Sequence, residues 1–314
     1  MAREVLRIEE LPDPHPAPRE VRVRVRVSGV NPTDWKARQS PVRPMEASFQ
    51  VPNQDGSGEI DEVGKGIDRA RVGERVWVYN AAYRRPWGTA AEFTVVPAAQ
   101  AVRLPDHVAY EAGASLGIPA MTAHRALFAD GLIAEQWVLI AGGAGGVGHH
   151  AIALARRAGA DVISTVSSES KGRLAKRAGA HHVVNYRDAG AADAIRRLAP
   201  LGVARIVEVA PASNSKLDDK VLAQDGTIAI YAADAQEWAI SPARLMYRNT
   251  KLRFILVYEM PAQAKADATR DITAALEAKA LPPMDFIRFP LEEIAEAHDA
   301  VEGGVVGKVL LEVT

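Results

Sequence analysis

Residues 137–148 read WVLIAGGAGGVG, a short apolar run that passes directly into a cluster of glycines. The apolar run predicts a buried strand over residues 137–141, and the residues after the glycines predict a helix over 147–158. Gly143, Gly145 and Gly148 satisfy the pattern G-x-G-x-x-G between these two elements. Glycines so placed allow a tight turn, a close approach of the backbone to a pyrophosphate, and close packing of helix on strand. The segment therefore predicts a dinucleotide-binding turn.

The chain around this turn alternates short apolar strands with alanine-rich helices. Further strands are predicted at residues 162–166, 183–184, 206–209, 227–231 and 252–257, and further helices at 169–178 and 191–198. Such alternation is typical of βαβ units with a parallel sheet that helices cover on both faces. We therefore expect an α/β, doubly wound Rossmann domain over residues 116–260.

The first part of the chain is rich in strand signals instead. Residues 21–27 read VRVRVRV, which predicts a half-buried strand with its arginines toward solvent. A phosphate or RNA track is the less favoured interpretation, because no aromatic residues are interleaved with the arginines. Other strands are predicted at 58–63, 74–79 and 91–96. Residues 1–115 thus predict a smaller β-rich, barrel-like domain.

The C-terminal part predicts a helix over residues 291–301 and a closing strand over 308–313. We expect the segment 261–314 to return to the first domain. The composition is that of an ordinary globular protein, with 48% hydrophobic and 25% charged residues among 314. A net charge of -1 favours neither nucleic acid nor an anionic membrane as a partner. The chain has no cysteine, which excludes disulfides and thiolate zinc sites. No stretch is typical of a membrane span, and a cytoplasmic location is predicted.

The residues after the second strand of the α/β part bear on the choice between NAD and NADP. An NAD site usually places an acid about 20 residues beyond the glycine turn, on the ribose 2′-hydroxyl. Here the segment 167–171 reads SSESK, and the strand ends on Ser167 instead of a carboxylate. Hydroxyls and Lys171 would hold a 2′-phosphate, so NADP(H) is predicted as the cofactor. Ser167 or Ser168 can also be an ordinary helix N-cap, and both roles are compatible.

The chain resembles the zinc-free quinone oxidoreductase (zeta-crystallin-like) branch of the medium-chain dehydrogenase/reductase superfamily. The resemblance runs along most of the chain. It implies a Rossmann domain with a GroES-like β domain, and a small-molecule quinone or enone as partner. The motifs that carry it are SGVNPTD at 28–34, DGSGE at 55–59, GERV at 73–76, GTAAEF at 88–93, LGIPAMTA at 116–123, the glycine turn, NYR at 185–187 and GKV at 307–309.

The resemblance also implies a set of cofactor-binding positions. The pyrophosphate positions are Gly143, Ala144, Gly145, Gly146 and Val147. The positions for the adenosine ribose and its phosphate are Ser167, Lys171 and Tyr186. The positions on the nicotinamide side are Asn31, Tyr231, Ala232, Ala233, Asp234, Ile255, Leu256 and Val257.

Zinc-dependent relatives hold a catalytic metal with Cys, His and Cys, and the matching positions here are Asn31, Gln54 and Gly117. None of these is an ordinary zinc ligand, so no metal is predicted. His149 and His150 do not form a metal pair, because neighbouring residues on a helix point about 100° apart. The chemistry expected is hydride transfer from NADPH to a quinone or another electron-poor carbonyl acceptor.

Candidate pocket residues for such an acceptor are Asn31, Trp35, Tyr79 and Tyr258, with packing as the alternative role for the aromatic residues. No general acid is assigned. An enone, alkenal or enoyl reductase is the nearest alternative, although residues 39–49 lack the tyrosine that many relatives carry there. A protein that binds NADPH without turnover is a remote alternative. A homodimer or homotetramer is expected through the strand at 252–257, unless that strand is covered within the monomer.

Overall fold

The computed structural model describes residues 2–39 and 47–313, so most of the segment 39–49, which lacks the tyrosine of many relatives, lies outside the described residues. The chain forms two compact units, Met1–Ile118 with Met284–Thr314, and Pro119–Pro283. The return to the first unit thus begins at 284 and not at 261. The reason is the helix Ala262–Glu277, whose Ala275 packs in the core of the second unit.

The strands and helices alternate along the second unit and are mixed in the first. The strands are β1 Glu20–Gly29, β2 Asp55–Val63, β3 Arg75–Val78, β4 Phe93–Pro97, β5 Ala101–Arg103, β6 Trp137–Ala141, β7 Asp161–Val166, β8 His182–Asn185, β9 Val203–Glu208, β10 Leu222–Ile230, β11 Lys251–Phe254, β12 Phe286–Pro290 and β13 Lys308–Glu312. The helices are α1 Pro32–Gln39, α2 Tyr110–Gly113, α3 Gly117–Phe128, α4 Gly146–Arg157, α5 Glu169–Arg177, α6 Ala191–Leu198, α7 Pro211–Val221, α8 Pro242–Tyr247, α9 Ala262–Glu277 and α10 Ile294–Glu302.

The first unit is built on a sheet with the order β12-β13-β1-β2-β3-β5, in which β4 also pairs with β1. Strand β1 has β2 on one side, and on the other side first β4 and then β13. Its valines are buried, as the alternating pattern predicts. This arrangement sets the last strand of the chain beside the end of β1.

The arginines of β1 face carboxylates on β2. The Arg22 Nε lies 2.9 Å from Asp61 Oδ1, and the Arg26 Nη2 lies 3.2 Å from Glu59 Oε2. Arg22 and Arg24 also stack over the ring of Phe93, at 4.7 and 4.6 Å from its centroid. The arginine side of this strand is therefore engaged within the unit, as the half-buried-strand interpretation requires.

The second unit contains a parallel sheet with the order β11-β10-β9-β6-β7-β8. Helices cover both faces, since Ile140 of β6 belongs to one apolar core and Leu139 to another. The predicted doubly wound fold is confirmed. The order in which strands are added reverses at β6, with β7 and β8 on one side and β9, β10 and β11 on the other. Ligands of such sheets bind at the carboxyl ends of the strands beside this point.

Strand β11 forms one edge of this sheet and ends at Phe254, earlier than predicted. The side chains of Phe254 and Leu256 are 69% and 54% exposed, so the edge is not covered within the described part of the chain. None of the helices in residues 2–39 and 47–313 is long and apolar enough to cross a bilayer.

Candidate active site

The glycine turn follows β6 directly and is closed by backbone hydrogen bonds. Gly142 has a φ of +69°, which a residue with a side chain rarely adopts. Its N–H donates to the Thr165 carbonyl at the end of β7 (3.1 Å), and the Gly145 N–H donates back to the Gly142 carbonyl (2.9 Å). The turn is thus tied to the carboxyl ends of two neighbouring strands. Gly142, and not Gly143, carries the left-handed backbone of the turn.

The other glycines differ in the space around them. A Cβ on Gly143 would lie 2.0 Å from Ser164 Oγ, and a Cβ on Gly148 would lie 2.3 Å from the Gly142 carbonyl oxygen. Both positions therefore demand glycine for packing of the turn. A Cβ on Gly145 would meet no atom closer than 3.4 Å, so this side of the turn is open. An open, side-chain-free surface is what a pyrophosphate needs to approach the backbone.

Helix α4 starts at this open surface. Its N-cap residue is Gly145, and no side chain caps the helix. The first-turn amides of a helix have no partner inside the helix, and they carry the positive end of its dipole. The segment from Gly143 through Ala144, Gly146 and Val147 is therefore suited to hold an anionic group, and a pyrophosphate fits it.

Ser167, Lys171 and Tyr186 are gathered at the carboxyl ends of β7 and β8. The Tyr186 N–H donates to the Val166 carbonyl (3.0 Å), which sets Tyr186 beside the strand end that Ser167 follows. Ser168 is the N-cap of α5, and its Oγ accepts from the Lys171 N–H (3.3 Å). The cap role is thus filled by Ser168, while Ser167 and the Lys171 side chain remain partly exposed.

The acid in this segment, Glu169, points to solvent with its side chain 91% exposed. Its Oε1 lies 2.8 Å from an Arg173 guanidinium nitrogen, one helical turn further on. Glu169 is therefore neutralised locally by Arg173. It stands at the first position of α5, and not at the strand end where an NAD site carries its acid.

Residues 231–234 follow β10 at the same edge of the sheet. Tyr231 and Ala232 are half-buried, whereas Ala233 and Asp234 are exposed. The carboxylate of Asp234 accepts from the backbone N–H groups of Ala212 (3.0 Å) and Ser213 (2.9 Å), so it caps helix α7. Because the Asp234 carboxylate is used in this cap, the polar groups that the segment still exposes are those of its backbone.

The segment 255–257 continues past β11. The Ile255 N–H donates to the Ile230 carbonyl (2.8 Å), which holds this segment beside the end of β10. Leu256 is exposed, and Val257 is buried at the start of a short 3-10 turn. These residues therefore lie at the carboxyl edge, next to residues 231–234.

The sequence patterns did not indicate a buried acid pair between β9 and α7. Glu208 is fully buried at the end of β9, and its Oε1 accepts from the Ala210 N–H (2.5 Å) and from Asn214 Nδ2 (2.9 Å). Asp218 of α7 is 2% exposed and lies beside it. Burial raises the pKa of both carboxyls, and the charge of Glu208 raises the pKa of Asp218 further. Asp218, whose pKa is raised to about 9, therefore keeps its proton at neutral pH.

The first unit contains a buried polar cluster around Asn31, at the junction of β1 and α1. The Lys308 Nζ donates to Asn31 Oδ1 (2.7 Å), and Asn31 Nδ2 donates to Asp55 Oδ2 (2.7 Å). The other oxygen of Asp55 accepts from the Ile118 N–H (2.7 Å). Asp34 Oδ2 accepts from the Asn31 backbone N–H (2.7 Å). Asn31 is thus held through both its backbone and its side chain.

This cluster buries three ionisable groups. Burial raises the pKa of Asp55, although the neighbouring Lys308 ammonium acts to lower it. Burial lowers the pKa of Lys308, against the effect of the two carboxyls. Burial and the charge of Asp55 together raise the pKa of Asp34 to about 7. Asp34 is therefore the group of this cluster that gains or loses a proton near neutral pH.

The three positions that match zinc ligands do not suit a zinc ion. Asn31 and Gln54 carry amides, and Asn31 already binds the Lys308 ammonium. A Cβ on Gly117 would lie 2.2 Å from Asp55 Oδ1, so no ligand side chain fits there. A fixed ammonium beside the site also repels a divalent cation. The donor set does not fit zinc.

The histidine pair offers no alternative metal site. The rings of His149 and His150 are inclined by 88°, and His149 Nε2 lies 2.9 Å from the Pro282 carbonyl. Across residues 2–39 and 47–313, no group of three or more His, Asp or Glu side chains is arranged to hold a metal ion.

The aromatic pocket candidates fall in different places. Trp35 is half-buried on α1, four residues after Asn31 in the chain. Tyr79 is 4% exposed, and its hydroxyl donates to the Ala99 carbonyl (3.3 Å), which is the packing role left open for it. Tyr258 belongs to the second unit, where its carbonyl accepts from Lys265 Nζ (2.7 Å). Trp35 and Tyr79 thus belong to the unit that contains Asn31, and Tyr258 does not.

Sequence reasoning missed Asp34, Asp55 and Lys308 as site residues, although all three lie inside the quoted motifs. The available signal is a charge next to residues that are otherwise apolar or small, such as Lys308 before Val309-Leu310-Leu311. A charged group in such a setting is either half-exposed or buried with partners.

Comparisons with known proteins agree with this division of the chain. A family model described as alcohol dehydrogenase GroES-like domain matches residues 17–106, and one described as zinc-binding dehydrogenase matches residues 146–274. The first falls in the unit with the Asn31 cluster. The second covers the glycine turn and the sheet of the second unit.

Individual relatives are similar over almost their full length. Quinone oxidoreductase of Mus musculus is 30% identical over 315 residues, which cover 98% of this chain and 94% of that protein. A solved structure named as an NAD-dependent alcohol dehydrogenase has a TM-score of 0.89 at 29% identity, with 99% and 96% of the two chains covered. A mycobacterial structure complexed with NADPH has a TM-score of 0.85 at 28% identity and the same coverage. The first of these two structures is thus described with NAD and the second with NADPH.

Proposed function

Because the chain belongs to the quinone oxidoreductase family of the medium-chain dehydrogenase/reductase superfamily, we propose that it transfers a hydride from NADPH to a quinone or a similar electron-poor carbonyl acceptor without zinc. The chain is an enzyme of the quinone oxidoreductase type. The observation that carries the choice of NADPH is the strand end after β7. Ser167 takes the place of an acid there, and Lys171 and Tyr186 lie close by.

The phosphate role of this strand end follows from charge. A ribose 2′-phosphate carries about two negative charges and needs hydroxyl, amide or ammonium donors. Ser167, Lys171 and the Tyr186 hydroxyl supply such donors, and the nearby acid Glu169 is paired with Arg173. A free carboxylate at this strand end would repel the phosphate. NADPH is thus favoured over NADH.

The acceptor is inferred from the cluster around Asn31. When bound, the nicotinamide supplies the hydride, and the protein supplies position and electrostatics. A quinone ring disperses the negative charge that it gains, so neither a metal nor a strong acid is essential. The Asn31 amide gives this region a fixed hydrogen-bond donor without a metal, while the Lys308 ammonium and the Asp55 carboxylate offset each other's charge. Trp35, on α1 and four residues after Asn31, is suited to flank a planar acceptor.

The assay compares NADPH and NADH oxidation by purified protein with 1,4-benzoquinone, an enone and a saturated aldehyde as acceptors. We expect turnover of the quinone, with NADPH preferred over NADH. Turnover of the enone alone would favour the enone reductase instead. Tight NADPH binding with no turnover of any acceptor would refute the enzymatic proposal.

The cofactor choice has its own test in Lys171→Ala. Loss of a charged hydrogen bond to phosphate costs about 1.5–3 kcal/mol, roughly tenfold to a hundredfold in the Kd of NADPH. The Kd of NADH should stay within about twofold of the native value. Lys220→Ala, at an exposed position of α7, is the matched control. Equal weakening of both cofactors would remove the phosphate role.

We further propose a homodimer in which β11 pairs with a second copy. An edge strand with unpaired backbone groups and exposed Phe254 and Leu256 is a ready template for such pairing. A cytoplasmic location stays a prediction from the sequence.

A further inference from the structure

The side chain of Asn31 has two partners, the Lys308 ammonium, which only donates hydrogen bonds, and the Asp55 carboxylate, which only accepts them. The Lys308 Nζ lies 2.7 Å from Asn31 Oδ1, and Asp55 Oδ2 lies 2.7 Å from Asn31 Nδ2. The Lys308 Nζ is also 3.5 Å from Asp55 Oδ2, so the three groups close a small ring of contacts. All three residues are at most 4% exposed.

This pair of partners determines which way the amide points. The oxygen and nitrogen of an asparagine side chain have nearly the same shape, and only the surrounding hydrogen bonds distinguish them. A flipped Asn31 would set its NH₂ against an ammonium and its carbonyl against a carboxylate. Two charge-assisted hydrogen bonds, each worth about 1.5–3 kcal/mol, would turn into repulsions. The flipped orientation is therefore excluded on chemical grounds.

Stability alone does not account for such a group of buried charges. The desolvation of a buried ion pair costs about as much as its attraction returns, and apolar residues of similar size often serve stability as well. The fold nevertheless makes room for the lysine. A Cβ on Gly29 would lie 2.1 Å from the Ala114 carbonyl oxygen and 3.0 Å from Lys308 Cε, so glycine at this position serves the close approach of Ala114 as well as the path of the lysine side chain.

We propose that Lys308 is a positioning residue for the reaction: together with Asp55 it locks the Asn31 carboxamide so that the second N–H of Nδ2 is offered to the acceptor oxygen. This inference rests on the proposed function for the identity of the acceptor. Negative charge grows on that oxygen when the hydride arrives at the ring. A fixed N–H stabilises the charge, whereas a carbonyl oxygen in its place would repel it.

A double-mutant cycle tests whether Lys308 acts through Asn31. The variants are Asn31→Ala, Lys308→Met and the combination, assayed for kcat with NADPH and 1,4-benzoquinone. Loss of one oxyanion donor costs about a hundredfold to a thousandfold in kcat. We expect each single variant to lose up to about that much, and the combination to lose no more than Asn31→Ala.

Losses that multiply in the combined variant would overturn the proposal, since Lys308 would then act independently of Asn31. Lys65→Met, at an exposed lysine of the same unit, is the matched control and should leave kcat unchanged. Lys308→Met leaves the Asp55 carboxylate buried without its cation, which can prevent folding. The pair Asp55→Asn/Lys308→Met removes both charges, keeps the volumes similar, and should show the same loss of kcat.

A readout without turnover separates this proposal from the proposed function. In protein labelled with ¹⁵N on asparagine, the Asn31 side-chain amide is assigned by its loss in Asn31→Ala. We expect its signals to be slow in hydrogen exchange, and to shift and exchange faster in Asp55→Asn/Lys308→Met. An unchanged Asn31 amide would refute the positioning role. Absence of quinone turnover together with the expected amide shift would refute only the acceptor assignment.

Discussion

Replacement of Asp34 by asparagine should stabilise the protein in a pH-dependent way. Asp34 is 5% exposed on the first turn of α1, and its Oδ2 accepts from the Asn31 N–H (2.7 Å). Burial and the charge of Asp55 raise its pKa from 3.8 to about 7. The folded state therefore keeps a proton on Asp34 that the unfolded chain has already lost at pH 6.

The magnitude follows from linkage. A raised folded-state pKa contributes stability that is fully present below the unfolded value and is lost as the pH rises through the folded value. Each unit of pKa shift corresponds to about 1.4 kcal/mol. The shift from 3.8 to about 7 thus amounts to a loss of roughly 4 kcal/mol above pH 7. Asparagine has the shape and the donor of the protonated acid, and it stays neutral at every pH.

The assay is urea unfolding of native protein and Asp34→Asn near pH 5 and near pH 8. Near pH 5 the pH is only about one unit above the unfolded-state pKa, so Asp34→Asn should raise the free energy of unfolding by roughly 1.5 kcal/mol. Near pH 8, above both pKa values, the increase should be roughly 4 kcal/mol. Asp188→Asn, at an exposed aspartate, is the control and should change little at either pH. The same effect at both pH values, or destabilisation near pH 8, would refute this linkage.

Three further substitutions probe the second unit. Gly148→Ala would set a Cβ 2.3 Å from the Gly142 carbonyl oxygen, so NADPH affinity in a fluorescence titration should fall at least about tenfold. The control is Gly190→Ala, where a Cβ meets no atom within 4 Å, and this variant should bind NADPH like the native protein. Phe254→Asp should convert the proposed dimer to a monomer in light scattering, and an unchanged mass would exclude the β11 edge as the interface. Burial and the charge of Glu208 raise the pKa of Asp218. Asp218→Asn should therefore raise the melting temperature, and the increase should grow as the pH rises above neutral. A fall in melting temperature at these pH values would contradict the raised pKa of Asp218.

The second unit could be predicted closely because its signals are local. The strand 137–141 is found as predicted, and α4 begins within one residue of its expected start. Apolar runs, glycine spacing and alanine-rich helices each decide structure within about a dozen residues. Helix α9 was not predicted, and its packing in the second unit moved the return of the chain from 261 to 284.

The polar cluster could not be predicted because it depends on strand register. Lys308 and Asn31 are 277 residues apart in the chain. They meet because β13 pairs with β1, with Gly29 opposite Leu310. A shift of one residue would turn Lys308 to the other face of the sheet. Register of this kind follows from tertiary pairing, which no motif in either segment specifies.

The central claim, metal-independent hydride transfer from NADPH, is tested most directly by single-turnover kinetics. Protein treated with a strong chelator is mixed with 1,4-benzoquinone and NADPH that carries deuterium at the transferring position of the nicotinamide. We predict that oxidation is as fast as in untreated protein and that deuterium slows it. Loss of oxidation after chelation, with recovery on addition of zinc, would contradict the account.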